Sequence, residues 1–528
     1  MRPASVNQRW RRSDVSIRAW PGNIPRHPGA SPSARADAPR MDGSGTQMKP
    51  MTAQEVMSLS RPAALPETEP DNHETSGHGF RQRILHAAGW SMAAYIAGYG
   101  LRLVASLIMT RLLVPEMFGV MAVATVVQVV TSMLCDVGLR QSVIQSRRGD
   151  QQIFLDTAWT LQIIRGVMIW VVCCAFAAAI AWGAAGGFFT HGSVYAAPDL
   201  PAIIAVIAFS SAILGFQSTK SMTSDRHLNQ RRLAVVELAS QAIGLTVAIT
   251  CGYLTRSIWS FVLSALVAAA VNVALSHWYL PGLRNRLRLE RASFVELIGF
   301  GRWILISSLF TVLASNGDRM LLAGWTDPTT LGMYVLAFNL VIMIEGGGGR
   351  LFWSVATAAF ARIAHERPET IKAAYYRSRL PFDAVFVGSA GLLYGGGQAI
   401  VDLLYDHRYS AAGDILQILS FGLLLSRFGL VSALFLALGR PQNLGLISGA
   451  KTVSLFLAMP LAHHFFGIEG ALWAISLHAV ATLPIIYVLQ GRHHLNNLAF
   501  EAAVLPFWLA GYALGAGGTI ILDWLSTG

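Results

Sequence analysis

The feature that most limits what this chain can fold into is a series of continuous apolar blocks. Each approaches or exceeds the roughly 20 residues that an α-helix needs to cross a bilayer. The blocks occupy residues 88–113, 118–134, 158–182, 201–216, 233–254 and 258–279, then 304–325, 331–359, 380–404, 415–438, 444–463, 468–489 and 502–524. Backbone N–H and C=O groups in lipid must be paired within their own segment, so each block reads as a helix. The sum is an all-α polytopic membrane protein of about 12–13 transmembrane helices. Charge content agrees: only 13% of the 528 residues are Asp, Glu, Lys or Arg, against about 25% in soluble proteins.

The net charge of +11 raises the question of nucleic acid, and the placement of the cations answers it. Basic residues crowd every second loop: Arg147 and Arg148; Lys220, Arg226, Arg231 and Arg232; Arg284, Arg286, Arg288 and Arg291; and Arg362, Arg367, Lys372, Arg377 and Arg379. Cations in alternate loops are the positive-inside pattern, which puts these loops and the N-terminus in the cytoplasm. The charge orients the chain in a membrane and points to no nucleic-acid partner. Cys135, Cys173, Cys174 and Cys251 all fall in apolar blocks without ligand spacing and read as small buried hydrophobes.

Residues 1–83 stand apart. They are polar, rich in Pro, Ser and Arg, and read as a disordered cytoplasmic extension. No signal-peptide core precedes Ile84, and Met41, Met48 and Met51 offer later starts. Beyond them the chain repeats itself. Gly89-Trp90-Ser91 leads through an apolar run to Arg111-Leu112-Leu113 and Pro115, with Gly119 opening the next run. Gly301-Arg302-Trp303 leads likewise to Asp318-Arg319-Met320-Leu321-Leu322, Asp327-Pro328 and Gly332. An even number of spans lies between the copies, so they share an orientation: two parallel six-helix repeats, 84–290 and 291–490, with 491–528 as an additional C-terminal span. A cavity between such bundles is the natural substrate site.

An ionisable group at the bilayer centre costs about 2.5–3.5 kcal/mol and needs a reason. Arg102, Arg427 and Lys451 lie deep within spans, and Arg319 and Arg350 accompany them. These five read as cavity cations suited to an anion, since guanidinium groups match phosphate geometry. Asp318 and Glu345 read as charge-compensating or ion-coupling partners. Asp136 and Arg165 lie near helix ends, where side chains reach the interface. The glycine runs 346–349 and 395–397 mark either bends or close helix contacts, and Pro460 and Pro484 mark candidate kinks.

No phosphate-binding loop is present: Gly445–Thr452 lacks the Gly-Lys-Ser/Thr order. The paired histidines 463–464 and 493–494 have no Glu in ligand register. No metal or cofactor is implied, and the short non-cytoplasmic loops leave no room for a catalytic domain. The chain reads as a transporter and not an enzyme.

Several motifs resemble bacterial polysaccharide flippases, the Wzx-type lipid-linked oligosaccharide translocases of the MOP exporter superfamily. Arg111–Gly119 is similar to their first-loop motif. Asp136-Val137-Gly138-Leu139 with Ser142-Val143-Ile144-Gln145 is similar to their second-span ending. Phe360–Ile363, Leu403–Tyr409 and Ala437–Pro441 extend the likeness over about residues 84–489. The resemblance implies a V of two six-helix bundles around a central cavity that works by alternating access. It implies an undecaprenyl-diphosphate-linked oligosaccharide as substrate, carried across the bacterial inner membrane, with polysaccharide polymerase and export machinery as partners. Arg102, Arg427 and Lys451 would then hold the diphosphate. Two other MOP-type readings stay open, a peptidoglycan-precursor flippase and a drug or ion antiporter. From another class, a membrane-embedded glycan polymerase or ligase also stays open.

Overall fold

The apolar blocks become helices, and all regular structure among the described residues is helical. The computed structural model describes residues 73–527 except 493, 494, 498, 499, 502 and 503; the side chains of 73–88, 299–311, 348, 350–355, 358, 368, 441, 523 and 525–527 stand outside the description. The expected disordered extension lies outside the described residues up to 72, and its last part, from His73, already belongs to the first helix.

In chain order the helices are α1 (His73–Leu112), α2 (Pro115–Leu134), α3 (Leu139–Gln145), α4 (Gln152–Ala185), α5 (Leu200–Gly215), α6 (Lys220–Arg226), α7 (Gln230–Thr255) and α8 (Trp259–Trp278). They continue as α9 (Arg291–Trp325), α10 (Pro328–Glu366), α11 (Ile371–Leu404), α12 (Ala412–Ser426), α13 (Gly429–Ala437), α14 (Pro441–Leu477), α15 (Leu483–Arg492) and α16 (Leu505–Thr527). Among the described residues ten helices are long and apolar enough to cross a membrane, or eleven with the pair α5–α6, bent by 66°. The protein is a multi-pass membrane protein.

The block count exceeds this for two reasons. One block belongs to the 35-residue α9, and two share the single helical stretch Gln442–Arg492. That stretch is not one rod. Gly467 has φ 64° and ψ −149°, a backbone state open to glycine and strained for other residues. Lys451 and His478 would stand about 40 Å apart on a continuous helix, yet both line one cavity. The chain therefore reverses at Gly467, and not at Pro460. Pro484 falls in the first turn of α15, where its missing N–H leaves no bond unmade.

The repeated turns meet each other. Val114 and Asp327 precede prolines and are extended, as the residue before proline must be. Each proline then starts a helix at its N1 position. Asp327 accepts hydrogen bonds from the Thr329 and Thr330 amides. Partial burial pulls its pKa up, but these bonds and the Thr330 hydroxyl outweigh burial and hold the carboxyl below its ordinary value. Four residues on, Gly119 of α2 and Gly332 of α10 let the two helices touch backbone to backbone. A Cβ on Gly119 would lie 2.0 Å from the Pro328 carbonyl oxygen, and one on Gly332 2.0 Å from that of Pro115. The same Pro-x-x-x-Gly sequence thus forms both sides of one crossing.

The cationic connector after α8 is a fastened strap. Its backbone runs along α4, with the Arg286 amide on Asp156 (2.9 Å), the Arg288 amide on Thr160 (3.1 Å) and the Glu290 amide on Thr157 (3.1 Å). Asp156 and Thr157 are buried while Arg284, Arg286 and Arg288 are exposed. Ion pairs of Arg148 with Glu290 (2.9 Å) and Glu296 (3.6 Å) fix the strap's exit into α9.

The glycine run at 395–397 resolves into close packing. A Cβ on Gly391 would lie 2.1 Å from the Trp508 carbonyl, and one on Gly511 2.0 Å from that of Gly388; Gly396 faces Gly515. This is the small-residue helix contact of membrane proteins, and it docks α16 on α11. Gly511→Leu is expected to detach α16 at a cost of about 1–3 kcal/mol from overpacking, read as a lower melting temperature of the detergent-solubilised protein. An unchanged melting temperature would refute this contact. Helices and strap together make one compact unit from His73 onward.

Candidate functional site

Two cavities that carry charged side chains stand side by side, with α9 and α10 as their shared wall. Consecutive helical residues point about 100° apart, so neighbours on α9 serve different cavities. Asn316 and Arg319 line the first and Ser315 and Asp318 the second. On α10, Val335, Leu336 and Asn339 face the first, whereas Phe338, Val341 and Glu345 face the second.

The first cavity, about 350 Å³, lies between α1, α2, α8, α9 and α10 and begins at Phe118, beside the Gly119–Gly332 crossing. Its charged lining is Arg102 from α1 and Arg319 from α9, accompanied by the amides of Asn316 and Asn339 and by no carboxylate. Arg319 packs over the Phe338 ring at 4.7 Å, and its buried Nε–H has no acceptor among the described residues. Arg102 lies 5.5 Å from the Tyr99 ring and makes no ion pair among the described residues. Arg102, exposed, and Arg319, partly buried, line one space without a carboxylate partner and can receive an anion from two helices. Burial of an unpaired N–H costs free energy that a bound acceptor would recover.

The second cavity, about 470 Å³, is enclosed by α9, α10, α12, α13, α14 and the single-turn helix His478–Thr482. Asp318, Glu345, Lys451 and His478 line it together with several hydroxyls. Asp318 is buried and accepts a hydrogen bond from the Tyr334 hydroxyl. Glu345 accepts one from Ser426 at 2.9 Å. Neither carboxylate is within ion-pair distance of Arg102, Arg319 or Lys451, so the expected neutralisation of those cations by Asp318 and Glu345 is not the arrangement found. Arg350 lies outside the described side chains.

Arg427 has different surroundings from those expected of a cavity cation. The tenth span breaks there, between α12 and α13, and the buried guanidinium binds Asp383 through Nε (3.1 Å) and Nη2 (2.9 Å). It also reaches Glu501 at 3.1 Å. Arg379, fully buried, grips Glu501 with both terminal nitrogens and stands 3.5 Å from Asp383. Phe428 lies between the two cations, 4.7 Å from Arg379 and 5.4 Å from Arg427. Two cations and two carboxylates balance here, which is the condition for burying charge. Arg379 is therefore a core residue and not a loop cation. Arg165 and Asp136 also pair, at 3.2 Å.

A set of hydrogen bonds closes the end of the molecule that carries the crossing. In the turn His407–Tyr409, Arg408 donates to the Arg111 carbonyl (3.2 Å) and Tyr409 to that of Leu113 (2.8 Å). Both capture carbonyls that the C-terminus of α1 leaves unpaired. The Val194 amide donates to the Thr326 carbonyl at 3.2 Å. The first cavity lies beneath this seal.

Comparison with known proteins gives the same frame. The family model described as polysaccharide biosynthesis protein matches residues 108–412. The lipopolysaccharide biosynthesis protein WzxC of Escherichia coli K12 is 22% identical over 439 residues, 82% of this chain and 85% of its own length. Among solved structures, an inward-facing multidrug resistance MATE family transporter of the MOP superfamily superposes with a TM-score of 0.59 at 15% identity, covering 77% of this chain and 95% of that one. The lipid II flippase MurJ in an inward closed conformation gives 0.57 at 11% identity, with 82% and 99% covered. At these identities the two structures show a common fold.

Proposed function

Because this chain belongs to the polysaccharide biosynthesis protein family, we propose that it flips undecaprenyl-diphosphate-linked oligosaccharide units across the bacterial inner membrane by alternating access. The observation that carries the reading is the first cavity. Arg102 from α1 and Arg319 from α9 line one space with no carboxylate, and the buried Nε–H of Arg319 is unpaired. A diphosphate would receive charge-assisted hydrogen bonds from both sides while its lipid tail stays in the bilayer. A cationic drug would meet repulsion there, which disfavours antiport of such solutes. In this reading the chain moves its substrate unchanged. The basic loops face the cytoplasm, so the sealed end beside Gly119 faces away from it. Lys451 serves the second cavity, and Arg427 acts through packing.

The test is leaflet-resolved. In cells lacking this protein, lipid-linked repeat units should build up on the cytoplasmic leaflet, and the wild-type gene should clear them. Each lost charge-assisted bond is worth about 1.5–3 kcal/mol. Arg102→Ala and Arg319→Ala should therefore each slow clearance about tenfold to a hundredfold, and the double variant should fail to clear. Full polysaccharide export by the double variant would refute the diphosphate site. Build-up on the outer leaflet would assign the chain to a step after flipping.

A further inference from the structure

The second cavity has no role in holding a diphosphate, and its chemistry differs from that of the first. We propose that it is the binding site for the sugar part of the substrate, so that the wall formed by α9 and α10 divides one ligand into an anionic and a neutral portion. This inference rests on the flippase reading above.

Three observations support it. The volume, about 470 Å³, falls within the roughly 300–1,000 Å³ of sites for small organic ligands and far exceeds what a bare cation fills. The lining is mixed in charge: Asp318 and Glu345 accept hydrogen bonds, Lys451 donates, and Ser315, Ser432 and Ser448 do both. A sugar hydroxyl also donates and accepts, so such a lining suits a polyhydroxylated neutral ring better than an ion of either sign. Lys451 and His478 stand in the same lining, and a cation entering would meet the ammonium group. Among the described residues, no three of His, Cys, Asp and Glu group as metal ligands.

The two cavities adjoin across this wall. Asp318 and Arg319 are neighbours in sequence on opposite sides of the wall, and Phe338, over which Arg319 packs at 4.7 Å, lines the second cavity. A diphosphate held by Arg319 would stand one side-chain layer from groups suited to its first sugar.

The full-length protein in lipid nanodiscs allows a test with two probes: undecaprenyl diphosphate without sugar, and the lipid-linked repeat units extracted from the cells that make this protein. Ser448→Trp on α14 and Ser432→Trp on α13 fill the cavity from different helices, and Glu345→Gln removes an acceptor. Each should weaken binding of the sugar-bearing lipid about tenfold and leave the sugar-free lipid within about twofold. Retained binding of the sugar-free lipid also shows that the variant is folded. Equal affinity of every variant and the wild type for the sugar-bearing lipid would overturn the proposal. So would a sodium-dependent affinity for both lipids that Glu345→Gln abolishes, which would make the cavity an ion-coupling site. If instead the wild type binds the sugar-bearing lipid while Arg102→Ala and Arg319→Ala bind both lipids normally, the diphosphate reading fails and the sugar site stands.

Discussion

Gly119→Leu is expected to abolish transport and to destabilise the protein more than a substitution of similar size elsewhere on α2. The reason is distance. Even the first carbon of a side chain there would lie 2.0 Å from the Pro328 carbonyl oxygen, so α2 and α10 must separate before any further atom fits. Overpacking a well-fitted contact costs about 1–3 kcal/mol, and here the atom struck is backbone, which cannot rotate away. Gly332→Leu should act alike, because its contact is the mirror of the first, 2.0 Å from the Pro115 carbonyl. The double variant should lose little more than either single one, since both pry open the same crossing. Melting temperature in detergent and clearance of lipid-linked units in cells would read the two effects. Normal clearance by Gly119→Leu would show that the crossing is dispensable.

The second large effect concerns the buried charges. Asp383→Asn should cost about 3–5 kcal/mol, because it leaves Arg379 and Arg427 sharing one carboxylate where there were two. Glu501→Gln should do the same, and it should also loosen the segment that leads into α16. Replacing both arginines and both carboxylates with apolar residues of similar volume should restore much of the stability, since burying a salt bridge gains little over a well-packed apolar core. Urea or thermal unfolding of the purified protein would measure this series. Equal stability of Asp383→Asn and the wild type would mean that water reaches the site and the ions are not desolvated.

Much of this was readable from residues alone, for a physical reason. The bilayer forbids unpaired backbone and unexplained charge, so apolar blocks had to be helices, and Arg102 and Arg319 had to face something polar. The matching turns at Pro115 and Pro328 announced a relation between two helices, although not that the turns would touch. What escaped was rotation and distance. Arg379 sits at the end of a run of loop cations and looked like one of them. Its partner Glu501 lies 122 residues away, between apolar blocks, with no local sign of pairing. Arg319 was read as a cavity cation and Asp318 as a compensating partner beside it. Only the placement of α9 against α10 shows that adjacent residues serve separate cavities. The glycine run at 395–397 allowed a bend or a contact, and the partner that decides it is α16, more than a hundred residues further on.

The strap from Arg284 to Glu290 has a mechanical consequence. It is pinned to α4 at alternate residues and passes directly into α9, whose 35 residues extend about 52 Å toward the turn that begins α10. The helices before and after the strap are thus joined at both ends of one long lever: by a fastened strip of chain at one end and by the crossing of α2 and α10 at the other. A linkage with two such attachments cannot release both at once without the halves parting. In the alternating access proposed above, each opening would use the opposite attachment as its fulcrum, so the two exposures would be alternatives by construction, before any ligand is bound.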